Sequence, residues 1–475
     1  MRSGYTFSRF AVLPAFLTVA VSATLLATVS TALAGPAEDD YAAAAGNYSQ
    51  GRWQLSAEEF QKFLANYPQH AQASEAKFFL GEALMQLGQV AQARPYFEAF
   101  AKEVPADHRY AAQATFRRGE CAYLMGDYQT ARPLLADFYQ KNKQHSLNAY
   151  ALPYLGDLAL MNNDALSAQQ FYSDALRQHR DSALADQCYF GLARSLQMQR
   201  KYDDATRFYE FLIAKGHSPL ISDSLLHLGR LQYEQEKYDE ALATLATVLD
   251  KYPTTEVAPY ARYWIGVTQL DKGEVDGAIG TFERAAASVE AQHELLPAIV
   301  FQLGEAFRQA GRLEEAAAAL QQVLDDSPKS SWADDARHGQ IRIASDTGQH
   351  AAVEQLANAF LENHGSSALS YDVRRLLGRA QLKQQRYEPA ITTLNELVNN
   401  LDAIASGQAA GGQLSRKDAK SLADSSRFTL GLAYVGAKQY AQADAAIASL
   451  TPNEETEPKL AAGVNAVRAA AFMGQ

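Results

Sequence analysis

Residues 66–97 read NYPQHAQASEAKFFLGEALMQLGQVAQARPYF. Two apolar stretches with helical spacing flank the breaker Leu87-Gly88-Gln89, and Pro68 stands ahead of the first. Glycine inside a helix costs about 1 kcal/mol against alanine, so Gly81, in the middle of the first stretch, needs a packing reason. Ala93, twelve residues on, supplies one: small residues on facing helices let two backbones nest. Phe97, four residues past Ala93, continues the apolar face of the second helix. The segment therefore predicts a helix, a turn closed by a left-handed glycine, and a second helix folded back on the first.

The same arrangement recurs along the chain. With Val90 as anchor, the equivalent positions are Trp53, Tyr128, Ala165, Tyr202, Tyr238, Val275, Leu313, His350, Tyr387 and Tyr440. The intervals are 36 to 38 residues as far as Tyr387, and the last is 53. So regular a period signals stacked supersecondary units. Three residues past the anchors stand Ala93, Ala131, Ala168, Ala205, Ala241, Ala278, Ala316, Ala390 and Ala443, with Ser56 and Val353 as the exceptions. Nine residues before the anchor, glycine recurs from Gly81 and Gly119 to Gly378 and Gly431. Pro68, Pro105, Pro253 and Pro328, fifteen after their anchors, stop the second helix. No run alternates in the way a strand would.

The pattern resembles the tetratricopeptide repeat, whose signature is L-G-x2-Y…A-x3-F…P. It stands here as Leu80-Gly81, Leu155-Gly156, Leu228-Gly229, Leu303-Gly304, Leu377-Gly378 and Leu430-Gly431, followed by Ala93…Phe97 and Ala278…Phe282. The resemblance covers roughly residues 38 to 475. The period exceeds the usual 34 by about three residues, inserted after the Tyr-Pro stop, and the family tryptophan of the first helix is missing. That variant looks like the repeats of bacterial envelope proteins, of the outer-membrane assembly lipoprotein and periplasmic cell-division coordinator type. The resemblance implies an all-α fold: a right-handed superhelical solenoid of about eleven hairpins plus a final helix.

The division expected is an export signal at 1–34, a solenoid at 35–400, an insertion loop at 401–424 and a terminal repeat at 425–475. Arg2 and Arg9 precede an uncharged stretch from Phe10, and Ala32-Leu33-Ala34 is an A-x-A cleavage site. The uncharged run is long enough to span a bilayer, but Pro14, the scattered Ser and Thr and the small-residue exit favour cleavage after Ala34. The expected location is periplasmic or secreted, with no stable membrane insertion after cleavage. The insertion is read as a loop from "SGQAAGGQLSRKDAK", which begins at Ser406. At the far end another 36-residue step lands one residue past Gln475, and the last helix has few polar side chains for a solenoid cap. The expectation is therefore a natural chain that continues, or one that associates through this end.

Without Arg2 and Arg9, 41 basic residues face 54 acidic ones, and the body carries −13. Such a charge repels nucleic acid and anionic lipid, leaving other proteins or peptides as the expected partners. Catalytic constellations fail one by one. His293-Glu294 lacks a second histidine four residues on, and "GVTQLDKG" from Gly266 lacks the Gly-Lys-Ser/Thr of a phosphate loop. The ten histidines show no ligand spacing, so no metal, no cofactor and no enzyme activity are expected. Cys121 and Cys188, two repeats apart, read as buried thiols out of bridging range.

In such arrays, the resemblance implies, first helices line a concave groove where partner segments dock. Aromatic residues at one register (Phe78, Phe116, Tyr263) and charged residues at another (Glu82, Glu120, Asp157, Arg194, Arg230, Arg342, Arg379) are the candidate groove set. The arginines would clamp carboxylates of an acidic segment. The competing reading makes the aromatics inter-repeat core and the charges a solvated face. The functional reading is an exported interaction scaffold of the cell envelope. The alternative is a helical platform of a larger peptidoglycan-processing enzyme whose catalytic part is absent. Tyr260, Tyr263 and Trp264 give weaker support to glycan binding.

Overall fold

The computed structural model describes residues 35–410, 414–451 and 458–474. The expected export signal lies outside them. Among the described residues every regular element is a helix, twenty-three in all. The first eleven are α1 (Pro36–Ser49), α2 (Trp53–Asn66), α3 (Ala73–Gln86), α4 (Val90–Glu103), α5 (Ala111–Leu124), α6 (Tyr128–Lys141), α7 (Asn148–Met161), α8 (Ala165–Gln178), α9 (Ala185–Met198), α10 (Tyr202–Ala214) and α11 (Ile221–Glu234). Then follow α12 (Tyr238–Lys251), α13 (Ala258–Asp271), α14 (Val275–Ala287), α15 (Leu296–Gln309), α16 (Leu313–Asp326), α17 (Ala333–Asp346) and α18 (His350–His364). The last are α19 (Ser370–Lys383), α20 (Tyr387–Ser406), α21 (Arg416–Gly436), α22 (Tyr440–Ile447) and α23 (Pro458–Gly474). The chain divides into two compact units, one up to Leu231 and one from Gln232, with the division inside α11.

Every even-numbered helix from α2 to α22 begins on one of the anchors, Trp53 through Tyr440. Two residues ahead of each anchor the backbone turns left-handed. Glycine does this at Gly51, Gly88, Gly126, Gly273, Gly311 and Gly348, and Asn163, Arg200, Glu236, Gln385 and Lys438 do it in the other five repeats. The turn folds the next amide back onto the first helix: Gln89 N–H donates to the Leu84 carbonyl at 2.9 Å. For a residue with a Cβ the left-handed backbone costs about 1–2 kcal/mol, which hairpin packing must offset at those five sites.

The mid-helix glycine has a more specific reason than the nesting of two small residues. A Cβ on Gly81 would stand 2.8 Å from the Phe97 ring, and one on Gly156 would stand 2.6 Å from the Tyr172 ring. The large residue four past the alanine thus seats on the glycine, and Ala93 and Ala168, both fully buried, let the helices close beneath it. The predicted backbone approach is present as well: at Gly304 the carbonyl of Ala316 lies 3.4 Å from the Cβ position. Each aromatic ring buried this way contributes about 2–3 kcal/mol. Within each unit, consecutive helices pack in chain order, as α3 on α4 and α4 on α5.

The insertion differs from its expected form. It lengthens α20 to 20 residues and α21 to 21, leaving only 407–415 as connection, of which 411–413 lie outside the described residues. Leu397, Leu401 and Ile404 from α20 are buried with Ala419 and Ala423 from α21. These residues recur at three and four positions, so two extra helical turns bury their own apolar stripe. Ser415 then caps α21 by accepting from the Asp418 amide. Beyond it, α23 packs on α21 and α22. Val464, Val467 and Ala471 join Ile447 in a small core, while Phe472 and Met473 are 84% and 79% exposed.

Candidate functional site

In the first unit the charged positions that follow the repeated glycine turn inward. Glu82 in α3, Glu120 in α5 and Asp157 in α7 are all buried. Arg117, three residues before Glu120, reaches back across one repeat to Glu82 with paired contacts of 2.6 and 2.8 Å, and its other amino group bonds Glu120 at 2.5 Å. Tyr154 of α7 donates its hydroxyl to Glu120 at 3.3 Å. One repeat further, Asp157 accepts from Tyr123 at 2.7 Å and from Tyr172 at 2.5 Å. The result is a buried polar ladder through α3, α5 and α7, in two hydrogen-bonded groups that meet where Tyr123 stacks on Tyr154 at 4.4 Å.

Its electrostatics follow from burial. Desolvation works against the charge of Arg117, but Glu82 and Glu120 outweigh it and hold the guanidinium protonated. Burial pushes the Asp157 carboxyl up to about 6, and the hydroxyls of Tyr172 and Tyr123, with the charge of Arg194, keep it from rising further. Burial and the neighbouring Asp157 carboxylate raise both phenols, so they stay hydrogen-bond donors.

This corrects the candidate groove in the first unit. Phe78 and Phe116 are fully buried in the core rather than on a groove wall. Phe78 stacks on Tyr110 at 4.7 Å, and Phe116 tilts against Phe138 at 5.5 Å. Glu82, Glu120 and Asp157 are internal ion-pair and hydrogen-bond partners. Arg194 and Arg230 are half-buried on α9 and α11, Arg194 close enough to Asp157 to be felt by it. The cause is the length of the Arg117 side chain, whose guanidinium reaches from α5 to Glu82 of α3 and still bonds Glu120 of its own helix.

The second unit is arranged differently. Tyr263 of α13 is buried against Trp264 and Phe282, Trp264 packs on Tyr233, and the Tyr260 hydroxyl bonds Glu294. Tyr263 and Trp264 are thus packed against other rings, while Tyr260 is half-buried. The row of residues after the repeated glycine register nonetheless opens outward along this unit. Glu305 of α15 pairs with Arg308 and lies 3.4 Å from Arg342 of α17, which is half-buried. Arg379 of α19 is exposed, and Leu432 of α21 is 37% exposed. Two turns earlier, Asp372 accepts from His338 and Arg375 at 2.8 Å each. Burial opposes its charge, but His338 and Arg375 hold its carboxyl down to about 2. Arg342, Arg375, Arg379 and Leu432 therefore share one face across α17, α19 and α21, which pack on one another.

Arg375 and Leu432 lie outside the candidate set, although the repeat register places Leu432 in the same row as Arg379. Arg117 carried no register signal, because its counterpart one repeat earlier is the apolar Phe79. Among the described residues no three His, Cys, Asp or Glu side chains converge as metal ligands. Cys121 and Cys188 are buried free thiols, and burial pushes Cys121 up to about 12, far from a reactive thiolate.

A family profile described as tetratricopeptide repeat matches residues 41–108, 80–144, 190–256 and 226–293, and a second so described matches 299–330 and 372–400. Among curated proteins, the chain is 23% identical over 192 residues to Protein CTR9 homolog of Arabidopsis thaliana, covering 40% of this chain. It spans 17% of that relative's length. Among solved structures, a tetratricopeptide repeat protein from Parabacteroides merdae is similar at 17% identity and a TM-score of 0.40, over 57% of this chain and 98% of its own. The APC/C hetero-tetramer Cut9-Hcn1 matches at 13% identity and a TM-score of 0.37, over 94% of this chain and 87% of its own.

Proposed function

The chain belongs to the tetratricopeptide-repeat superfamily, and from that premise we propose that it is an exported interaction scaffold of the cell envelope. Its partner face is the row from Arg342 and Arg375 through Arg379 to Leu432. The observation that carries this reading is the contrast between the units. In the first unit the equivalent row is sealed from α3 to α7 by Arg117 and the tyrosines and half-buried at Arg194 and Arg230, whereas in the second it ends in an exposed arginine and an exposed leucine. Guanidinium groups bind carboxylates in a planar fork, so the partner segment carries acidic side chains followed by an apolar one. An acidic segment suits a body whose average charge otherwise repels anions, because the arginines concentrate the attraction locally.

Export rests on Arg2, Arg9, the uncharged run and the Ala32-Leu33-Ala34 site. No helix among the described residues is long and apolar enough to cross a membrane. Purifying the protein from its native cells and sequencing its N-terminus tests this part, and a chain beginning at Gly35 is the expected result. For the partner face, tagged protein carrying Arg342→Glu and Arg379→Glu is compared with the unaltered chain in crosslinked native cells. Stoichiometric envelope partners should be lost while helix content is kept. Unchanged recovery of the same partners would remove the row from the site.

A further inference from the structure

The joints between hairpins share one geometry. In three consecutive joints of the first unit a histidine ring closes the turn. The Gln72 amide donates to His70 Nδ1 at 3.2 Å, the Tyr110 amide to His108 Nδ1 at 3.2 Å, and the Leu147 amide to His145 Nδ1 at 3.1 Å. Each ring also lies edge-on to a phenylalanine of the preceding helix: His70 on Phe63, His108 on Phe100 and His145 on Phe138, at 5.2 to 5.5 Å. The Leu295 amide donates to His293 Nδ1 at 3.1 Å in the same way, and at two other joints the bond is made by a hydroxyl. The Leu220 amide donates to Ser218 Oγ at 3.3 Å and the Leu369 amide to Ser367 Oγ at 3.4 Å. The histidine is therefore performing a serine's task, satisfying a free amide at the start of the next helix.

We propose that the joints α2–α3, α4–α5 and α6–α7 form an acid-sensitive device, in which neutral histidine rings cap the next helix and a proton on Nδ1 uncaps it. An Nδ1 that accepts from an amide carries no hydrogen, so the ring proton sits on Nε2. Protonation turns Nδ1 into a donor facing another donor; the bond is lost and repulsion replaces it. Serine at the equivalent place does not titrate.

The groups facing each ring grade the response. His70 Nε2 faces Glu38 of α1 at 3.4 Å, and His108 Nε2 faces Glu75 of α3 at 3.5 Å, a carboxylate that also takes Arg109 and the Tyr41 hydroxyl. A proton on either ring is drawn by its carboxylate, so these joints exchange a helix cap for an ion pair. His145 packs on Phe138 of α6, and among the described residues no charged group pairs with it. Burial holds this ring neutral further into acid.

Hydrogen exchange of the full chain, read by mass spectrometry at pH 7.5 and 5.5 and corrected for intrinsic rates, tests the device. In the unaltered protein, protection at the His70 and His108 joints should fall roughly tenfold on acidification, the worth of one lost cap, and by less at the His145 joint, while the Ser218 and Ser367 joints hold steady. In the His70→Ser, His108→Ser, His145→Ser variant the fall should disappear. The other acid-titrating groups of the unit, Asp157, His179, His217 and His227 among them, are the same in both proteins and cancel. An equal fall in both, or none in the unaltered protein, overturns the proposal. Independently of the variant's folding, ring nitrogen chemical shifts of the unaltered protein at pH 7.5 must show Nδ1 bare at all three histidines. A hydrogen on Nδ1 there would overturn it as well.

Discussion

Replacing Arg117 with methionine leaves two carboxylates, Glu82 and Glu120, buried in α3 and α5 without their cation. Arg117 is 4% exposed, Glu82 1% and Glu120 7%, so water cannot take the place of the guanidinium without opening the packing. Removing one partner of a buried ion pair costs about 3–5 kcal/mol. At about 1.4 kcal/mol per tenfold, protection should fall by roughly two to four orders of magnitude. A stacked-repeat chain opens locally rather than all at once. The readout is therefore hydrogen exchange of peptides from α3, α5 and α7 at neutral pH, with α19 peptides as the unaffected control. Adding Glu82→Gln and Glu120→Gln to Arg117→Met removes the orphaned charges, and most of the lost protection should return. If the single substitution costs less than about 1 kcal/mol, or the triple is no better than the single, Arg117 is not the buried counter-charge of Glu82 and Glu120.

Three further substitutions test the repeat physics. Gly81→Ala pushes a Cβ into the Phe97 ring 2.8 Å away and should destabilise α3–α4 by about 1–3 kcal/mol. Gly280→Ala, whose nearest neighbour is only the Arg284 guanidinium at 3.5 Å, should instead stabilise α14 by up to about 1 kcal/mol; chemical denaturation ranks the pair. Gln385→Gly relieves a left-handed backbone and should stabilise the α19–α20 hairpin by about 1 kcal/mol, read as a higher denaturation midpoint. Asp157 has a folded carboxyl raised to about 6 against an ordinary 3.8, so the fold binds more protons than the unfolded chain between those values. Its contribution therefore weakens as pH rises through that window, by roughly 3 kcal/mol at most. Asp157→Asn should remove this fall from a pH series of unfolding, and an unchanged series would show that Asp157 is not the titrating group.

The hairpins were legible because their determinants are local and repeated. A glycine, an alanine and an anchor at fixed spacing define a helix pair wherever they occur, and each anchor is the first residue of a second helix. The direction of the charged row was not legible. Glu82 and Arg379 occupy the same register, yet one is sealed by Arg117 and the other faces solvent. That outcome is set by the residue at Phe79's register one repeat on, Arg117. Composition misled at the insertion, where the glycine-rich centre concealed the three-and-four spacing of Leu397, Leu401 and Ile404. The histidines looked scattered because they were compared with metal-ligand spacings. His70, His108 and His145 lie seventeen or eighteen residues past their anchors, which is a repeat position.

The central claim is that partners dock on the open row of the second unit. The most direct measurement places a photo-crosslinking residue at Arg379, at Leu432 and, as a control, at Leu166 in α8, which is 70% exposed on the first unit, in the native cells. The account predicts that the Arg379 and Leu432 positions capture the same envelope protein through an acidic segment. That capture should vanish with Arg342→Glu, and Leu166 should capture nothing comparable. Equal capture at Leu166, or none at Arg379 and Leu432 while the tagged chain still recovers stoichiometric partners, would place the interaction elsewhere and contradict it.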